Sequence, residues 1–218
     1  MIGPNAASLL LYFAVHPLLA QAQSYLIGTY AGGGLPTTPS VAVNASLGQP
    51  QSVAVDGKGN VYLSADNCVF RVDTSGTLTR VAGSSSAPGF SGDGGAATSA
   101  RLAYPAGIAL DSAGNLYIAD SGNHRIRKVA AANGSISTIA GTGFLGFSGE
   151  GGTATAARLS GPSGVAVDVS GNLYIADTGN NRVRKLTAAN GLITTVAGNG
   201  SFGYAGDGSL RAGRSKPV

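Results

Sequence analysis

The chain is poor in the residues on which most catalysis and cross-linking depend. Of its 218 residues one is cysteine, two are histidine, one is methionine and none is tryptophan, and only 11% carry charge. A single cysteine, Cys68, excludes an internal disulfide and a thiolate metal framework, so it reads as a small apolar strand residue rather than a nucleophile. Two histidines, His16 and His124, form no metal-spaced cluster. No Ser–His–Asp set and no pair of catalytic carboxylates can be assembled either. His124 falls in a turn and is replaced by Asn181 in a later copy of the same motif, which points to a solvated turn residue. Long charge blocks are also missing, and with 43% apolar residues this argues against disorder.

The formal net charge is +4. Its basic residues recur at fixed places, Arg125, Arg127 and Lys128 and then Arg182, Arg184 and Lys185. They therefore follow a structural period instead of forming a basic arm, and no nucleic-acid partner is expected. The one extended apolar run, 6–19, is shorter than the roughly 20 residues that span a bilayer. It is followed by Ala20, Gln21 and Ala22, a small-x-small pattern, although the first five residues carry no Lys or Arg. Residues 1–22 are expected to be a signal peptide cut after Ala22, giving an exported chain (periplasmic, cell-surface or secreted) with no stable membrane span.

What the chain does have is glycine, 35 residues of it, and a motif written three times. GNLYIADTGNNRVRKL at 171–186 has a near copy at 114–129, GNLYIADSGNHRIRKV, and a worn copy from 59, GNVYLSADNCVFRV. Four segments close alike: LIGTYAG, LTRVAG, ISTIAG and ITTVAG, with final glycines 51, 58 and 57 residues apart. Periods of this size belong to solenoids or propellers. In the third unit GVAVD, LYIAD, RVRKL and LITTVAG are short strand-like runs separated by Gly, Asn, Asp or Ser turns, which predicts an antiparallel four-stranded meander. Strands apolar on both faces need neighbours on both faces, as in blades stacked around an axis. The small residues Gly107, Ala109, Gly164 and Ala166 suit the crowded inner strand.

The runs GIALDSAGNLYIADSGNHRIRKV and GVAVDVSGNLYIADTGNNRVRKL resemble NHL repeats, and with the intervening FSGDGG loops the pattern is similar to exported bacterial NHL proteins and the NHL region of teneurin-type proteins. The resemblance implies an all-β propeller of about six four-stranded antiparallel blades that acts as an interaction platform. About three blades are present here, a partial ring or a fragment of a six-bladed one. The expected organisation is blades over 23–207 (about 25–83, 84–141 and 142–198, with a further unit starting at 199–207) and a divergent tail at 208–218. Residues 25–32 would supply a lone fourth strand, and the count of three points to a truncated reading frame, to self-association of an incomplete ring, or to an open arc with exposed edges.

Candidate polar residues are locked to the repeat. Asp56, Asp111 and Asp168 close the first strand, where a carboxylate accepts turn N–H groups. Asp66, Asp120 and Asp177 are read as ending the second strand, near Asn123 and Arg125 and near Asn180 and Arg182, and are expected to hydrogen-bond within or between blades. GTGFLG and GNGSFG match the dinucleotide pattern but open no helix, so no nucleotide is expected. GFSGDGG and GFSGEGG, placed on one rim, offer one carboxylate each where Ca²⁺ takes 6–8 oxygens, so no cofactor is expected and Ca²⁺ is the only candidate. The reading is a non-catalytic scaffold for an unknown protein or glycan. The alternatives are a lactonase-like propeller enzyme with a channel metal and an RNA-binding module.

Overall fold

A computed structural model describes residues 38–84 and 87–203; the expected signal peptide, the strand expected at 25–32 and the tail at 208–218 lie outside them. The described chain is all-β, with three antiparallel sheets following one another along the sequence. The first blade contains β1 (Ser40–Val41), β2 (Ser52–Val55), β3 (Val61–Ala65), β4 (Cys68–Val72) and β5 (Thr77–Ala82). The second contains β6 (Pro105–Leu110), β7 (Leu116–Asp120), β8 (Arg125–Val129) and β9 (Ile136–Ala140). The third contains β10 (Gly164–Val167), β11 (Leu173–Asp177), β12 (Arg182–Leu186) and β13 (Ile193–Ala197). In each blade the strands pair in sequence order, and the first blade adds the short β1 beyond β5. These are propeller blades, three of them.

The first strand of each blade lies innermost: β6 packs between β2 and β10. The approach there is close enough to require glycine. A Cβ on Gly107 would come within 2.6 Å of the Gly164 Cα, and the Gly107 N–H donates to the Ser163 carbonyl at 2.9 Å. The middle strand β7 of the second blade is buried on both faces, as its unbroken apolar character requires. In β7, Leu116 and Ile118 face the first blade while Tyr117 and Ala119 face the third.

Because blades radiate from the axis, the gap between them widens outward. The Gly-rich loops fill it. Residues 89–102 run down the outer edge of the second blade, bond to β9 (Gly94 N–H to Ile136 O, 2.8 Å; Ile136 N–H to Gly95 O, 2.9 Å) and return through a 3-10 turn, Ala97–Ser99. Ala97, Ala100 and Leu102 are buried in the seam between the first two blades, and the Gly83 N–H at the end of β5 donates to the Ala97 carbonyl. The same pattern recurs with Gly151, Gly152 and Ala154 against β13. The loops expected on one rim are thus wedges between blades, and they cover outer strand edges that would otherwise be free to pair. In the first blade β1 and the turn Ala42–Asn44 take the same place, with the Ala42 N–H donating to Gly76 O.

Candidate functional site

The repeat-locked polar residues are built in register. Asp120, last in β7, stands opposite Arg125, first in β8, and Asp177 stands opposite Arg182. Yet the carboxylate does not bond that arginine. Asp120 accepts the Ala103 N–H (2.8 Å), the Asn123 amide (2.8 Å) and Arg127 Nη1 (3.2 Å). Arg125 turns outward to the carbonyls of Asn123 (3.2 Å) and Thr142 (2.6 Å). Arg127 and Arg184 are fully buried, and they are the pair of guanidinium groups that sequence reasoning passed over in favour of Arg125 and Arg182. The alternation of RIRKV places both Arg125 and Arg127, with Val129, on one face, the face that β7 supplies with Leu116, Ile118 and Asp120, so it does not choose between the two arginines.

The wedge loop closes this cluster. Asp93 pairs with Arg127 at 2.7 Å, and the Phe90 ring lies 3.8 Å from the Arg125 guanidinium carbon and 4.8 Å from that of Arg127. In the third blade Phe147 stacks on Arg182 and Arg184 at 4.0 and 4.7 Å. Asp177 accepts from the Ser160 N–H and the Asn180 amide, at 2.7 and 2.8 Å. The carboxylates of GFSGDGG and GFSGEGG therefore face guanidinium groups. Burial pushes the Asp120 carboxyl up from its ordinary range, and the Ala103 N–H, Asn123 and Arg127 pull it back only in part.

The first-strand aspartates sit in turns, as their position requires. Asp111 accepts the Ala113 and Asn115 N–H groups, the Asn115 amide and the Tyr117 hydroxyl. Burial opposes its ionisation, but those hydrogen bonds outweigh it and hold the carboxyl below the usual range. Burial and Asp111 together push Tyr117 up to about 12. Asp168 and Asp56 make the same turns, with Asn172 and Asn60.

Asp66 departs from this scheme. Ala65, not Asp66, occupies the register position of Asp120, because β3 ends at Ala65 and pairs it with Cys68. Asp66 and Asn67 form a two-residue turn with φ of 48° and 60°, in place of the four residues 121–124 of the second blade. The Asp66 carboxylate nonetheless takes the amide equivalent to Ala103, accepting the Gly48 N–H at 2.5 Å. The first blade has also replaced Arg125 by Cys68, a buried thiol, and Arg127 by Phe70. His124 is likewise more than a solvated turn residue: its Nδ1 accepts the Gly161 N–H at 3.0 Å and ties the second blade to the third. Asn67 does the same between the first two blades, accepting the Tyr104 N–H at 2.7 Å.

The shortened turn opens a cleft of about 310 Å³ at the axial end between the first and second blades. It is lined by Gln49, Gln51, Asp66, Asn67, Tyr104 and Ser121, with Pro105 and Ala106 at its base. Gln49, Gln51 and Tyr104 break the repeat. The positions of Gln51 and Tyr104 are held by Ser163 and Gly161 in the third blade. Tyr104 keeps a left-handed φ of 48° where the third blade has Gly161 at 51°. The residue is 67% exposed, with one ring edge against Gly122, where a Cβ would lie 2.8 Å from Tyr104 Cδ2. A second cleft, about 370 Å³, lies between the second and third blades and is lined by repeat residues such as Tyr117, Lys128 and Leu173. Among the described residues no three His, Cys, Asp or Glu side chains converge as metal ligands, and no helix is long and apolar enough to cross a membrane.

Comparison with known proteins agrees with the blades. The NHL repeat model matches residues 102–129 and 159–186, the second and third blades, and skips the first, where the Asp and Arg of the corner are lost. The chain is 31% identical over 195 residues to zebrafish teneurin-3, covering 81% of this chain and 7% of the relative. It is 32% identical over 126 residues to bovine NHL repeat-containing protein 2, covering 57% of this chain and 17% of that protein. The chain thus spans less than a fifth of the length of the curated relatives it matches first. A Bacteroides thetaiotaomicron protein solved without known function superposes with a TM-score of 0.54 at 24% identity, over 70% of this chain and 36% of that one, a likeness of fold.

Proposed function

We propose, for a chain that belongs to the NHL-repeat β-propeller proteins, that it is an extracytoplasmic, non-catalytic binding scaffold whose ligand sits in the cleft between the first two blades. One observation carries this reading: the polar side chains divide into two sets. Asp120, Asn123, Arg125 and Arg127, with their third-blade copies, are engaged inside the protein. Gln49, Gln51 and Tyr104, whose residue types the other blades do not repeat, gather with Asp66 around one opening. A repeated residue serves the blade; a residue that breaks the repeat at an exposed cleft is free to serve a ligand. The extracytoplasmic setting rests on the apolar run at 6–19 and the small residues that follow it.

A thermal-shift screen of the full chain with peptide, saccharide and small-metabolite panels tests the reading, run in parallel on Tyr104→Gly. A ligand present at about 100 times its Kd stabilises the native state by about 2.7 kcal/mol, a rise of several degrees for a protein of this size. At least one compound is expected to produce that rise in the wild type and not in the variant. A set of hits that stabilise both proteins equally would place binding elsewhere and overturn the assignment.

A further inference from the structure

We infer that the ligand of this cleft is a neutral saccharide, an inference that rests on the binding reading above and names its substrate class. A tyrosine at φ 48° is strained relative to a relaxed backbone, and the third blade shows that the same corner is built with glycine. The conformation is imposed from both sides, by the Tyr104 N–H held on Asn67 and by Gly122, whose missing side chain leaves room for the ring. The fold has no use for a phenol here, since most of the residue faces solvent. What the strained position does is hold a flat, amphipathic ring at the mouth of the cleft in one orientation.

The other groups that line the cleft fix the chemistry. Gln49 and Gln51 bring two primary amides, each both donor and acceptor, and Ser121 brings a hydroxyl. The half-buried Asp66 lines the cleft and accepts the Gly48 N–H on one carboxylate oxygen, which leaves it further acceptor capacity. Among the described residues, no Lys or Arg lines the opening. An anionic ligand such as a phosphate would meet a carboxylate and no cation, and an apolar ligand would strand the amides. A polyhydroxylated ring suits the set: its C–H face packs on Tyr104, and its vicinal hydroxyls donate to Asp66 and exchange hydrogen bonds with the glutamines. The volume, about 310 Å³, falls at the small end of the roughly 300–1,000 Å³ of small-molecule sites, which suits one or two sugar rings rather than a long chain.

The test is saturation-transfer NMR on the full chain with glucose, galactose, mannose, N-acetylglucosamine, cellobiose and maltose, and with a mixed tripeptide library as the competing class. Wild type, Tyr104→Gly and Asp66→Asn are compared, with circular dichroism to show that each variant is folded. The glycine variant relaxes the backbone, and the amide oxygen introduced by Asp66→Asn can still accept the Gly48 N–H, so neither is expected to unfold. Transfer to at least one sugar is expected, with affinity reduced about tenfold or more in each variant. Absence of transfer to every sugar, or transfer unchanged in both variants, overturns the saccharide inference. Transfer to peptides alone that is lost in Tyr104→Gly overturns it too, while leaving the binding reading intact.

Discussion

Arg127 and Arg184 occupy the same place in successive blades, and one methylene separates their surroundings. Asp93 bonds both Nε and Nη2 of Arg127, leaving the buried Thr138 hydroxyl without a partner. Glu150, longer by one carbon, reaches past Arg184 to the Thr195 N–H and hydroxyl, both at 2.8 Å, and the Nε and Nη1 of Arg184 are left without hydrogen bonds. Unsatisfied groups of a buried cation cost more than an unsatisfied hydroxyl. Glu150→Asp is therefore expected to stabilise by about 1 kcal/mol, a rise in Tm of roughly 2–4 °C, and Asp93→Glu to do the reverse; calorimetry of the two variants checks both signs. The turn carboxylates set the acid response. Asp111 has a lowered pKa, so its contribution is fully present above the unfolded value of about 3.9 and is lost as pH falls through the folded one. Asp120, raised by burial, acts in the opposite sense. Urea midpoints from about pH 7 down to pH 3 should show the gap between wild type and Asp111→Asn shrinking below about pH 4. The turn role of Asp111 was legible because an Asp four residues before an Asn at a strand end has few other uses. Which arginine met Asp120 was not, because that depends on the direction of side chains across the β7–β8 pair.

At the scale of the element, the strands were legible almost to the residue: RVRKL and LYIAD are β12 and β11. The path of the loops was not. Ala97, Ala100 and Leu102 are too few and too irregularly spaced to announce a buried face, and their burial follows from the widening gap between blades, which is a property of the ring. The first blade shows what can replace the polar corner. Where the second blade has Asp120 and Arg127, it has Ala65 and Phe70, with the hairpin two residues shorter. Breaking the buried pair by removing one member leaves an uncompensated charge, at a cost of about 3–5 kcal/mol. Arg127→Phe, which strands the buried Asp120, is expected to destabilise on that scale, and Asp120→Ala by less, because Arg127 keeps Asp93 at 2.7 Å. The double variant, which writes the first blade's solution into the second, should be more stable than the sum of the two losses predicts by about 1 kcal/mol or more. A double-mutant cycle in guanidinium chloride measures the coupling, and strict additivity would show that the two sites do not act as a pair.

At the scale of the molecule, the far face of the third blade repeats that of the second but has no neighbouring blade among the described residues. On the second blade Tyr117, Ala119, Ile126 and Ala140 are buried against the third. Their counterparts Tyr174, Ala176 and Val183 are half-exposed, Ala197 is exposed, and Val196 beside it is 48% exposed. The face was shaped by the same sequence pattern that elsewhere forms a blade interface, so it presents an apolar surface that the described residues do not cover. A surface of that kind drives association with another sheet of the same shape, and a second copy supplies one. Sedimentation velocity of the full chain should show an average mass that rises with concentration. Val183→Asp is expected to shift that distribution toward monomer while changing Tm by no more than a few degrees, because Val183 has solvent beside it. Ile126→Asp makes the same chemical change one blade earlier at a fully buried position, where an unpaired carboxylate must be desolvated, and it should prevent folding. If Val183→Asp instead unfolds the protein as Ile126→Asp does, the third blade's face is already covered in solution and the two positions are equivalent after all.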